Sequence, residues 1–319
     1  MTRLLIAVAL LLLPIVSMAM PAAPLIDLLG RDPELAQAVL VELRLPRALL
    51  AAGYGAVLGA AGAAVQALFA NPLASPDLTG TTSGAALGAV IAGYTLAIPG
   101  PLAPSVGAVA GALAALLLLL ALAGPRAEAA TLLLAGLAIS ALAGALTTLA
   151  LALAPSPFAF YDAYEWLLGS LIDRSLGQAT AACIPALLVI LALLRHRDAL
   201  DSLALGEEVA QSLGYDLRRL RIEIVALSAI GVGACVAVCG AIGFVGLVAP
   251  IFARRLTGGH PGRAILRAAA LGALLLTAAD LLTRTAPLGR VLPIGVVTAL
   301  LGAPFFLWLV VHMRWRLGR

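Results

Sequence analysis

Ala48-Leu-Leu-Ala-Ala-Gly53-Tyr-Gly55-Ala-Val-Leu-Gly59-Ala-Ala-Gly62-Ala-Ala-Val-Gln66-Ala-Leu-Phe-Ala70 runs for 23 residues without a charge. A helix needs about 20 apolar residues to cross the hydrocarbon core of a bilayer. This stretch therefore reads as a membrane span. Its glycines and alanines leave a smooth surface on which a second helix backbone can lie close. Such a surface suits dense packing, and it equally suits helices that slide or rotate during a transport cycle. Similar runs give ten expected spans: 4–22, 48–70, 80–98, 102–123, 131–154, 177–194, 222–240, 243–256, 264–284 and 293–312. The eighth is short and interrupted by Pro250, which points to shielding by protein rather than lipid. The expected fold is all-α and integral to the membrane, with about ten transmembrane helices in a single domain over residues 1–319.

Composition excludes the other classes. The chain has 319 residues, of which 62% are hydrophobic, 11% charged and 5% aromatic, and its mean hydropathy is +1.08. Soluble domains carry about 25% charged residues, and disordered chains are more polar still. Few aromatics and no runs of alternating polarity argue against a β-barrel. All 20 basic residues are arginine, and the net charge is +4. They cluster between apolar runs, as topology requires. No basic tract is interleaved with aromatics, so nucleic acid is not an expected partner. Cys183, Cys235 and Cys239 lie in apolar runs as small packing residues, with Cys235 and Cys239 on one helix face. Neither they nor His196, His260 and His312 have metal-ligand spacing.

Arginine counts set the orientation. With the N-terminus in the cytoplasm, 14 arginines fall inside and six outside: Arg31, Arg44, Arg47, Arg174, Arg284 and Arg290. Both termini are then cytoplasmic, in a plasma (inner) membrane surrounded by lipid. The first span also has the layout of a signal peptide, with Arg3, an apolar run and Ser17-Met-Ala-Met-Pro21. Its length favours a retained helix. Two polar insertions follow: residues 155–175 outside, with a short helix expected around Asp162–Gly169, and residues 195–221 inside. Gly62…Pro72 and Gly240…Pro250 share a ten-residue spacing on spans of opposite direction, a weak inverted repeat of the kind transporters use.

Three groups of residues carry functional expectations. Arg44-Leu-Pro-Arg47 lies at the outer mouth of the second span, where two guanidinium groups suit the carboxylates of a docking protein or lipid headgroups. Asp280 and Arg284 are spaced to pair on the ninth span. Ser202-Leu-Ala-Leu205-Gly206-Glu207-Glu208-Val-Ala210-Gln-Ser-Leu213-Gly214 forms a short amphipathic segment bracketed by two glycines. It serves either as a surface helix or as a knob for a groove on a soluble partner. Its Glu208-x-Ala210-x3-Gly214 spacing resembles the coupling motif of ATP-driven importers.

These residues together resemble the FecCD-type, BtuC-like permease subunits of importers for iron-siderophores, haem and vitamin B12. The resemblance covers roughly residues 40–313. It rests on Arg44-Leu-Pro-Arg47, Gln66-Ala-Leu-Phe-Ala-Asn71-Pro72-Leu-Ala-Ser-Pro76, Ser83-Gly84-Ala-Ala, Leu132-Leu-Leu-Ala-Gly136, Leu203-Ala-Leu-Gly206-Glu207, Gly240-Ala-Ile-Gly-Phe-Val-Gly-Leu-Val-Ala-Pro250 and Leu292-Pro293-Ile-Gly-Val-Val-Thr298-Ala-Leu-Leu-Gly302-Ala-Pro304. It departs at Asp201-Ser202 and in Gln211-Ser212. It implies a type II importer permease with an inverted repeat, working as a dimer, most simply of identical chains. Two cytoplasmic ATPase subunits and a periplasmic substrate-binding protein complete the expected assembly. Carried over by position, Arg44, Arg47 and Arg284 are docking residues. Leu205, Gly206, Glu207, Glu208, Ala210, Leu213 and Gly214 couple to the ATPase. Ser140, Thr147 and Thr148 mark a translocation pathway.

The resemblance implies a transport subunit without catalysis, moving a ferric siderophore or haem inward by alternating access, with vitamin B12 as the alternative cargo. ATP and Mg belong to the partner, since a chain without lysine has no Gly-x-x-x-x-Gly-Lys-Ser/Thr loop. No cofactor is expected on this chain. An ion-coupled carrier needs intramembrane carboxylates, which the spans scarcely offer. A membrane enzyme lacks a His or Cys partner for its scattered acids.

Overall fold

The computed structural model describes residues 12–124, 128–285 and 292–317, apart from 97, 99 and 101. Every regular element among them is helical. In chain order these are α1 (Leu12–Ala19), α2 (Ala22–Arg31), α3 (Pro33–Leu68), α4 (Thr81–Val90), α5 (Ala103–Ala123), α6 (Ala129–Ala152), α7 (Pro157–Leu167), α8 (Leu176–Arg195), α9 (Arg197–Leu203), α10 (Glu207–Ser212), α11 (Leu217–Cys239), α12 (Val245–Leu256), α13 (Pro261–Thr285) and α14 (Ile294–Leu317). Among the described residues, six helices are long and apolar enough to cross a membrane, and seven if α1 and α2, bent by 62° at their junction, form one span. The ten expected spans all meet helices. The start of the first, together with Arg3, Arg126 and Arg290, lies outside the described residues.

The small-residue stretch builds the centre. From Leu50 to Leu68, α3 is almost wholly buried among α8, α11, α12 and α13. A side chain on Gly55 would strike the Gly272 carbonyl, and one on Gly272 would strike the Gly55 carbonyl. The α3–α13 contact is therefore backbone on backbone. That closeness increases dispersion contacts, the main driving force where lipid replaces water. The amide of Gln66, inside this wall, donates to the Leu247 carbonyl at 3.1 Å.

Two elements differ from the expected boundaries. The second span begins at Pro33 instead of 48, because the helix absorbs Pro46 rather than ending at it. Proline cannot donate to the preceding turn and its ring crowds the carbonyl there. A π turn over Val39–Arg44 relieves this, with the Leu45 amide bonding to Leu40, five residues back. The third span is only α4 and a π turn at Ile91–Thr95. The eighth, α12, has 12 residues, contains Pro250 and buries most of its length, in line with shielding by protein.

The Gly–Pro spacing falls on unlike local structures. Gly62 is mid-helix with Pro72 in the following connection, whereas Gly240 ends α11 and Pro250 lies within α12. Cys235 and Cys239 are free and buried, with the Cys235 thiol 3.8 Å from the Ala182 carbonyl. The short helix expected after residue 155 is α7. Ser156 caps it through the Ala159 amide, Trp166 is buried, and Tyr161 and Tyr164 are exposed.

Candidate docking, pathway and coupling sites

The three expected docking arginines converge at one end of the bundle, each already engaged. Asp280 is fully buried on α13. One of its oxygens accepts from Arg47 Nε at 2.9 Å and lies 2.8 Å from Nη2 of the same guanidinium. Its other oxygen accepts from Arg284, one turn away on the same helix. Arg47 also donates to the Thr283 hydroxyl at 3.2 Å. A buried carboxylate needs such compensation, since an unpaired one costs several kcal/mol.

The remaining donors reach the α1–α2 break. Pro21 has no amide to offer the preceding turn, and the bend leaves carbonyls there open. Arg44 Nη1 donates to the Met18 and Ala19 carbonyls at 2.8 and 2.9 Å, and its Nη2 donates to Pro21 at 3.1 Å. Arg284 donates to the Ser17 carbonyl at 2.9 Å and to its hydroxyl at 3.2 Å. Sequence spacing anticipated the Asp280–Arg284 pair. It gave no sign of Ser17, whose burial depends on α1 folding against residues more than 260 positions away.

At the opposite end lies the expected coupling segment. Gly206 and Gly214 have φ of +118° and +89°, as turn and cap positions require. Between them α10 buries Ala210 and leaves Glu208 exposed. Leu205, Val209 and Leu213 are 71%, 41% and 61% exposed. Leu203, just before Gly206 in the same segment, packs against the core. An apolar triplet that this chain leaves open is a feature of interaction sites. Glu207 stays largely exposed and pairs with the buried Arg221 of α11 at 2.5 Å.

Nearby, Asp201 accepts from the Gly262 amide at 2.8 Å and so anchors α9 to the start of α13. Asp216 caps α11 through the Arg219 amide. Both were legible only as isolated acids in a polar loop.

Ser140, Thr147 and Thr148 lie on α6, with Ser140 and Thr147 half-buried and Thr148 exposed. Ser140 donates to the Asp77 carbonyl at 3.4 Å. Thr147 and Thr148 bond back to carbonyls of their own helix, at 2.7 and 3.0 Å. Backbone bonding of this kind leaves the threonine methyl groups as the outward chemistry.

The comparisons agree with this architecture. The model of the FecCD transport family matches residues 4–312. The vitamin B12 import system permease BtuC of Vibrio cholerae is 42% identical over 87% of this chain and 84% of its own. The ferric dicitrate permease FecD of Escherichia coli K12 is 41% identical over 86% of each chain. The hemin permease HmuU of Yersinia pestis is 40% identical over 86% of this chain and 83% of its own. Among solved structures, one described as an inward-facing conformation of a metal-chelate type ABC transporter superposes with TM-score 0.84. It has 28% identity and covers 96% and 97% of the two chains. With a helical core welded by small residues, an arginine cluster at one end and a glycine-bracketed helix at the other, the chain belongs to the FecCD transport family of ABC importer permeases.

Proposed function

We propose that two copies of this chain form the membrane pathway of an ATP-driven importer for a metal chelate, a ferric siderophore or haem. The exposed Leu205–Val209–Leu213 triplet on a short helix held to the core carries the reading. An apolar knob of this size fits a groove on a soluble partner, and in this reading that partner is one of two ATPase subunits. ATP and Mg are bound there, and this chain needs no cofactor. The 195–221 segment is then cytoplasmic, the 155–175 connection periplasmic, and both termini lie inside a plasma membrane. The arginine distribution supports that orientation.

Arg44, Arg47 and Arg284 serve a periplasmic binding protein in this reading. Arg44 is bonded only to neutral carbonyls. A carboxylate adds charge–charge attraction and a bidentate fit to the guanidinium that neutral carbonyls lack, so a docking acid displaces them. Arg47 and Arg284 stay tied to Asp280 and supply positive potential from behind. In the mechanism that follows, ATP binding draws the two coupling segments together and rocks the helices about the dimer axis. Ser140, Thr147 and Thr148 line the opening path.

A relative named for vitamin B12 supports cobalamin as the second cargo. Proteoliposomes holding this chain, its cognate ATPase and its binding protein distinguish the two. Uptake of ferric siderophore or hemin, abolished by Arg44→Glu, supports the proposal. Uptake of cyanocobalamin alone selects the second cargo. Uptake that persists without ATP and follows an ion gradient would sink both.

A further inference from the structure

We propose that the Glu207–Arg221 ion pair is the link that hands motion of the coupling helix to α11, and that α11 delivers it to the mouth through Cys239 and Gly240. The inference rests on the coupling role proposed above for α10.

A helix of six residues has too few internal bonds to be rigid alone. α10 follows α9 through residues 204–206 and packs on it, and its hold on α11 consists of the short connection over 213–216 and Glu207 bonding Arg221 Nη2, with Ala210 buried beneath. The two side chains differ in setting. Glu207 is 56% exposed, so it moves with α10, whereas the Arg221 side chain is 9% exposed and belongs to the packed body of α11. The neighbouring Arg219 has another use. It bonds Glu223 at 2.7 Å, and the same carboxylate lies 3.3 Å from His196 at the end of α8. Among the described residues, Arg221 alone forms an ion pair with α10.

The helix beyond this link is built as a rod. It has 23 residues, about 34 Å of length, and no internal proline. It packs on α3, α5 and α8 along its length. Close-packed interiors transmit displacement instead of absorbing it. At the other end the contacts are again specific. The Cys239 carbonyl accepts from the Ser170 amide at 2.8 Å. The hydroxyl of Tyr54, fully buried on α3, donates to the Gly240 carbonyl and accepts from the Ile242 amide, both at 3.3 Å. Gly240 has φ +75° and lies against the Trp166 carbonyl of α7 and against Gly169, where a side chain would collide. Tyr54 sits about two turns along α3 from Arg47. One rigid element thus joins the coupling helix to α7 and to the helix that carries a mouth arginine. That is a contiguous physical network between two sites.

The test uses the full chain with its cognate ATPase in nanodiscs, in a Cys183→Ala background. Glu165→Cys on exposed α7 is the reporter, and its maleimide labelling rate is measured with and without Mg-ATP. The parent should change rate by about fivefold or more on ATP addition, in the range of ordinary allosteric coupling. Glu207→Ala should abolish that change while the ATPase still copurifies. The swap Glu207→Arg with Arg221→Glu should restore it. Tyr54→Phe, which removes only the hydroxyl, should weaken the response while ATP hydrolysis continues. An unchanged response in Glu207→Ala overturns the link, as does a folded swap that does not restore it. Loss of ATPase copurification in Glu207→Ala overturns it too, because Glu207 would then be a partner contact. A parent that neither binds an ATPase nor responds to ATP refutes the coupling role itself instead.

Discussion

Asp280 shows how one buried carboxylate organises one end of the bundle. It is fully buried, and each oxygen faces a different arginine. Asp280→Asn leaves two guanidinium groups half-buried with one amide oxygen between them. Breaking such a pair costs about 3–5 kcal/mol, so the variant should unfold at lower temperature in detergent, measured by thermal-shift fluorescence. Full recovery of stability in Asp280→Asn would refute the clamp. The sequence disclosed half of this group. Asp280 and Arg284 are four residues apart, and helical spacing predicts their pairing. Arg47 comes from 233 positions away and Ser17 from 267 positions before Arg284, and no local pattern reports such partners. The same limit hid the partner of Glu207, an exposed acid on α10 that only the fold brings beside the buried Arg221.

Elements show the same division. Helix α10 was legible because two glycines bracket an apolar-spaced segment, and both take positive φ. Its exposed leucines are separable from folding. Leu205→Asp with Leu213→Asp removes apolar groups that this chain leaves exposed. The double variant should keep wild-type yield and melting temperature, within about 0.5 kcal/mol, while losing copurification of the ATPase. An ATPase retained at full stoichiometry would assign α10 to another role. The small-residue helix α3 behaves oppositely. Gly55→Leu drives a side chain into the Gly272 carbonyl, whereas Gly30→Ala meets nothing within 4 Å. Overpacking costs about 1–3 kcal/mol or more. Gly55→Leu should therefore abolish a monodisperse peak in size-exclusion chromatography, and Gly30→Ala should leave it intact. The π turn before Pro46 was not legible. Proline marks a place where a helix must adjust, and whether it ends or widens there depends on what packs around it.

At the scale of the whole molecule, ten apolar stretches became helices that do unequal work. Long helices such as α3, α11 and α13 form a buried core, while α4 and α12 are too short to cross a bilayer and rely on neighbours. Crossing a membrane requires every backbone group to be bonded within its own helix or by protein, so these short pieces report a tightly enclosed architecture. The family and its transport class follow from 309 matched positions, residues 4–312. Cargo does not, because relatives named for cobalamin, ferric dicitrate and hemin are nearly equally similar.

Sequence by itself determined that the protein is a helical membrane permease, which apolar stretches become helices, and which polar residues sit near their ends. Hydropathy and motif spacing are local properties, summed over a turn or a span. Tertiary structure alone decided which charges are spent inside the fold and which faces stay open. Arg44, Arg47 and Arg284 are drawn onto Asp280 and a broken helix, while Leu205, Val209 and Leu213 remain exposed. Burial and pairing depend on segments that meet only after the chain has folded. The cost of an unpaired buried charge then fixes which partner each arginine takes.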